Sequence, residues 1–101
     1  MAVRDTNPNR KGPNGEGPND QAAILALGAL GWILNADSRA ERFLSLTGLD
    51  VGTLRERAGE PAILAATLGF LENHEPDLIA CADALDTSPD DLVRARRTLE
   101  E

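Results

Sequence analysis

Cysteine, histidine and aromatic side chains are scarce in this 101-residue sequence, and it has no long apolar run. A single cysteine, Cys81, excludes an intrachain disulfide and a Cys-x-x-Cys pair, and fits a reducing compartment. The longest apolar candidate runs from Ala22 to Leu34 and is interrupted by Gly28 and Gly31. It falls short of the roughly 18 to 20 residues that a membrane-spanning helix needs. The segment from Met1 to Gln21 is polar and offers no apolar signal region. No glycine-rich phosphate loop occurs, nor a carboxylate dyad of defined geometry. No stretch alternates with the two-residue period of a strand. These absences lead us to expect one soluble, cytoplasmic, all-α domain with no cofactor or metal.

Acidity dominates the charge, with a formal net value of −7. It is unevenly placed: from Asp20 onward seven arginines face fifteen carboxylates, whereas the first nineteen residues hold Arg4, Arg10 and Lys11 against Asp5 and Glu16. An acidic body repels nucleic acid and anionic membranes at long range, so both are expected to be poor partners. The same acidity also serves to keep a small helical protein in solution. Residues 1–19 are rich in proline, glycine and asparagine, and Met1, Ala2 and Val3 are their only apolar side chains. Such a composition buries too little surface to offset the entropy of ordering. It predicts a disordered tail followed by one helical domain over residues 20–101.

Five to six short helices are predicted in that domain. The first, from Asp20 to about Asn35, is apolar almost all the way round, and belongs either at the centre of a bundle or against another subunit. Ser38-Arg39-Ala40-Glu41 fits a capping box for the second helix, which Gly48 ends. Asp50 caps a third, Val51 to Ala58, held by Val51, Leu54 and Ala58. Pro61 opens a fourth, ending near His74, and Glu75-Pro76 breaks the chain before a fifth with Leu78, Ile79, Ala82 and Leu85 inward. Ser88-Pro89-Asp90-Asp91 starts the last helix. The step Leu49-Asp50 recurs as Leu85-Asp86, which suggests a compact bundle built from two related helical hairpins. Two copies are too few for a solenoid.

The residues Phe43-Leu44, Thr47-Gly48-Leu49-Asp50, Leu54-Arg55, Phe70-Leu71, His74-Glu75-Pro76 and Leu78 resemble a small bacterial family of unknown function, number 3572 among the domains of unknown function. The resemblance covers about Ala22 to Leu99 and implies no activity, cofactor or substrate. It departs at the second joint, where Ala84-Leu85-Asp86-Thr87-Ser88-Pro89 stands in place of the Gly-Leu-Asp-Pro common in such proteins.

Chemistry has few places to reside. His74 lies beside Glu72, Glu75 and Asp77, a set able to meet a divalent metal or a proton, but lacking the spacing of paired histidine ligands. Its simpler role is to bond carbonyls at a helix C-terminus. Cys81 sits among Ile79, Ala80 and Ala82 with no activating base, and reads as a small buried hydrophobe. We therefore expect no enzyme. A weak nucleic-acid-binding, helix-turn-helix-like role is the alternative, with Arg94, Arg96 and Arg97 as phosphate contacts. However, Asp90, Asp91 and Glu100 stand at ion-pair spacing from those arginines. The leading expectation is an interaction or regulatory module acting on itself or on a protein partner, and a purely structural accessory subunit is a third. Trp32 is the candidate anchor, flanked by Leu30 and Ile33, unless it simply fills the monomer core. His74, Glu75 and Pro76 mark a second candidate surface.

Overall fold

Six helices follow one another in a computed structural model that describes residues 18–101, with side chains from Asp20. They are α1 (Pro18–Leu34), α2 (Asp37–Thr47), α3 (Val51–Arg57), α4 (Pro61–Glu72), α5 (Glu75–Ala84) and α6 (Pro89–Glu100). No strand occurs among the described residues, so the chain is all-α. The tail expected over residues 1–19 lies, up to residue 17, outside the described residues.

The helices α1, α4 and α6 pack against one another as the body of the domain, and α2 and α5 close over it. This arrangement follows from composition, because α4 buries Ile63, Leu64, Ala65, Thr67, Leu68, Phe70 and Leu71. Few of its positions remain for water, so neighbours must cover it on several sides. Ile33, Phe43, Leu64, Leu68, Leu71, Leu92 and Cys81 are fully enclosed. Phe43 meets Phe70 edge to face, with ring centroids 5.3 Å apart, the arrangement that aromatic quadrupoles favour. Thr67, the one buried polar side chain of this core, donates its hydroxyl proton to the Ile63 carbonyl at 2.8 Å. That bond removes most of the cost of burying it.

Several helix boundaries come from local chemistry. Gly48 takes the left-handed conformation, φ 75°, and its N–H donates to the Leu44 carbonyl at 2.9 Å. This is the single-bond glycine stop. Asp50 then caps α3 by accepting from the Thr53 N–H at 2.7 Å, and Ser88 caps α6 by accepting from the Asp91 N–H at 3.1 Å.

Other details differ from expectation. The capping box at Ser38 does not form: Asn35-Ala36 turns the chain so tightly that Ala36 occupies the cap position without a side-chain bond, and Ser38 lies one turn-position inside α2. The second joint is not a copy of the first. Asp86, not a glycine, takes the left-handed conformation at φ 58°. Thr87 N–H donates to the Ala82 carbonyl and Asp86 N–H to that of Asp83, at 2.9 and 3.2 Å. These two bonds make a Schellman closure. Asp86 thus corresponds to Gly48 rather than to Asp50. Val51 and Ile79, expected to hold their helices, stand 55% and 53% exposed. Glu75-Pro76 opens α5 with His74 at its N-cap position; the His74 backbone N–H still donates to the Leu71 carbonyl at the end of α4, at 3.0 Å, while its side chain turns to Asp77 instead of to those carbonyls.

Candidate functional site

The face that α1 turns away from the body gathers three of the exposed large aliphatic side chains, the others being Leu46, Val51 and Ile79 on α2, α3 and α5. Ala22, Ala26, Ala29, Leu30 and Ile33 face the core. On the opposite side Ile24 is 70% exposed, Leu27 43% and Leu34 39%, with Gly31 exposed between them. Steps of three, four and three residues keep these four positions on one face. A Cβ built on Gly31 meets nothing within 4 Å, whereas one on Gly28 lies 3.4 Å from Leu85 Cδ2. The two glycines therefore differ: Gly28 admits a neighbour within the fold, and Gly31 is an open hollow between apolar knobs.

Two of the residues expected to form an interaction surface, Leu30 and Ile33, belong to the monomer core. Trp32 is half-buried against that core. The Arg39 guanidinium lies 3.7 Å from its ring centroid, and Arg39 Nη2 donates to the Trp32 carbonyl at 2.7 Å. One arginine from α2 thus covers the tryptophan and satisfies a carbonyl at the C-terminal end of α1, which has no basic residue of its own in its last turn. The pairing crosses a helix turn, and nothing local in the sequence announces it.

His74, Glu75 and Pro76 are all exposed. His74 Nδ1 lies 3.0 Å from Asp77 Oδ2, and the same oxygen accepts from Arg42 Nη2. Arg42 also lies over Phe70, 5.2 Å from its centroid. This group ties the start of α5 to α2 through Asp77.

Cys81 is buried on α5. Burial pushes its thiol up to about 11, an effect that the nearby Arg39 charge only partly opposes. A nucleophilic cysteine needs the reverse shift. On α6, Arg96 is held by Glu72 of α4 and by Glu100 at 2.7 Å, and the Glu72 hydrogen bond raises its pKa further. Arg94 lies 3.8 Å from Asp91. The Thr87 hydroxyl donates to Asp91 at 2.9 Å; it and then Ser88 hold that carboxyl below the usual range.

Two open grooves run along the body. One, about 720 Å³, lies between α4 and α6 over Ala62, Ala65, Ala66 and Gly69. The other, about 640 Å³, lies between α1 and α6 and brings Ile24 and Leu25 together with Thr87, Asp91 and Arg94. The second groove adjoins the apolar face of α1. Sequence reasoning placed the interest of α1 at Trp32, Leu30 and Ile33, and missed Ile24, Leu27 and Leu34. A helix apolar on every side carried no signal that separated the two sets. No helix among the described residues is long and apolar enough to cross a membrane.

The chain belongs to the family described as "Protein of unknown function (DUF3572)", whose model matches residues 19–101, the whole of the helical domain. The resemblance carried by Thr47-Gly48-Leu49-Asp50 and His74-Glu75-Pro76 is thereby established. No curated protein and no solved structure matches the chain.

Proposed function

We propose that this member of a family without an assigned activity is a protein-interaction module, and that its working surface is the outward face of α1. The observation that carries the reading is Ile24, 70% exposed in a helix whose other side is core. Leu27 and Leu34 extend the same face. Single exposed aliphatic residues are ordinary on a protein surface. A three-turn ladder of them at i, i+3 and i+10, with an open glycine at i+7, sets its anchors along one helical face, as helix-in-groove contacts do. An interaction role requires no catalysis, and the buried, protonated Cys81 and the ion-paired Arg94 and Arg96 of α6 fit a non-catalytic reading. A cytoplasmic setting agrees with an unpaired thiol.

The nucleic-acid alternative has less support. Of its three candidate cations, Arg94 and Arg96 already face carboxylates, which leaves exposed Arg97 as a single phosphate contact. The test of the interaction reading is co-purification of the tagged full chain from its native cell, wild type against an Ile24→Gln, Leu27→Gln double variant. The wild type is expected to retain partners that the variant releases. Identical retained sets from two equally folded proteins would refute the assignment of this face.

A further inference from the structure

The geometry points to a basic amphipathic helix of another protein as the occupant of the α1 face, an inference that rests on reading that face as an interaction surface. Shape is the first argument. Ile24 to Leu34 spans about 15 Å, three helical turns at a rise of roughly 1.5 Å per residue. The hollow at Gly31 has no atom within 4 Å of a built Cβ. One large apolar side chain of an incoming helix fits there, between Leu27 and Leu34, as a knob enters a hole.

Charge is the second argument, and it selects the partner. The α5–α6 turn borders the face, because Leu85 lies against Gly28 and Thr87 and Asp91 share a groove with Ile24. That turn carries exposed Asp86, with exposed Asp83 before it and exposed Asp90 after it. Asp20 and Asp37, both exposed, stand near the two ends of α1. Arg94, the one cation lining the groove, already faces Asp91. An apolar strip beside a margin of exposed aspartates is complementary to a helix with an apolar stripe and lysine or arginine flanks.

The other occupants fit less well. A second copy brings the same acidic margin against itself. Residues 1–17 contain only Met1, Ala2 and Val3 as apolar side chains, too few to cover three turns of helix.

Two synthetic peptides, each about five turns long and free of tryptophan, provide the test. Both carry the same leucine stripe; one has a lysine polar face and the other a glutamate face. Binding to the full chain is read by calorimetry and by Trp32 fluorescence. The lysine peptide is expected to bind one to one, more weakly as salt is added, and the glutamate peptide not at all. The Ile24→Gln, Leu27→Gln variant keeps the net charge and is expected to lose about tenfold or more in affinity. Equal binding of both peptides, lost in the variant, overturns the basic partner but leaves the apolar face as a docking surface. Equal binding of the lysine peptide to wild type and variant overturns both readings, since charge alone then accounts for it. Sedimentation showing a dimer that the variant abolishes assigns the face to a second copy and overturns the inference.

Discussion

Replacing each glycine of α1 in turn distinguishes a helix side that is covered from one that is open. Glycine in a helix interior costs roughly 1 kcal/mol relative to alanine. A substitution recovers that cost only where the added atoms find room. At Gly31 a Cβ meets nothing within 4 Å, so Gly31→Ala should stabilise the monomer by about 1 kcal/mol. For a domain of this size that corresponds to a rise in Tm of roughly 4–8 °C. At Gly28 the Cβ lies 3.4 Å from Leu85 Cδ2 and 3.7 Å from Cδ1, the limit of ordinary contact. Gly28→Ala should therefore recover about half as much or less, because Leu85 must give slightly. Leucine widens the contrast: Gly31→Leu remains stabilising, whereas Gly28→Leu drives a branched side chain into Leu85 and destabilises by about 1–3 kcal/mol. Urea unfolding followed by circular dichroism measures all four, with the midpoint interpreted only where the slope is unchanged. A destabilising Gly31→Leu, or a harmless Gly28→Leu, would show that the two sides of α1 have been assigned the wrong way round.

Four further outcomes follow from the same contacts. Phe43→Ala removes a fully buried ring and its edge-to-face contact with Phe70, and should cost about 3–5 kcal/mol in urea unfolding, most of the stability of a small domain. Arg39→Gln removes the charge over Trp32 and the charge-assisted bond to its carbonyl. A loss of about 2 kcal/mol with a red shift of tryptophan emission is expected, and an unshifted spectrum would contradict that placement. Because burial raises the Cys81 thiol to about 11, its contribution to stability is complete below the unfolded pKa near 9 and falls as pH rises towards 11; thiol reagents should react slowly with the native protein at pH 8 and promptly in urea. Asp50 and Asp91 are held below the usual carboxylate range, by the Thr53 N–H and by the Thr87 hydroxyl respectively, so their contribution is present above about pH 4 and is lost as pH falls further. An Asp50→Asn, Asp91→Asn variant should flatten the acid limb of the stability–pH curve.

Where structure followed from neighbouring residues, the sequence announced it. Pro61 and Pro89 at helix starts, the αL stop at Gly48, and the caps at Asp50 and Ser88 each depend on a handful of adjacent atoms. The all-α class and the number of helices follow from the same local chemistry. The two joints show where such reasoning ends. Leu49-Asp50 and Leu85-Asp86 read alike, yet one aspartate caps the next helix and the other turns left-handed to close the previous one. The difference lies in Gly48, which takes the left-handed position itself and leaves Asp50 free to cap. Ala84 occupies the matching place in the second joint and remains helical, so the left-handed step passes to Asp86.

The orientation of α1 was not legible, because a helix apolar all round has no side that names its own neighbours. Its burial is decided by α4 and α6, more than twenty residues away in sequence. Those helices took Leu30 and Ile33 and left Ile24, Leu27 and Leu34. The role of Arg39 was hidden for a related reason, since stacking on Trp32 requires the Asn35-Ala36 turn to fold α2 back over the end of α1. His74 serves both neighbours: its backbone N–H closes on the Leu71 carbonyl of α4, and it is also the N-cap of α5, which starts at Glu75, one residue before the proline expected to open it.

On the proposed function, the outward face of α1, with the acidic α5–α6 turn beside it, is where this protein meets its partner. The most direct measurement is amide chemical-shift mapping of the full chain as the lysine-faced peptide is added. The largest perturbations are expected at Ile24, Leu27, Gly31 and Leu34 and across Asp83 to Asp91, with the α4–α6 groove around Ala66 and Gly69 unaffected. Perturbations concentrated in that groove, or around His74 and Glu75 with α1 silent, would contradict the account.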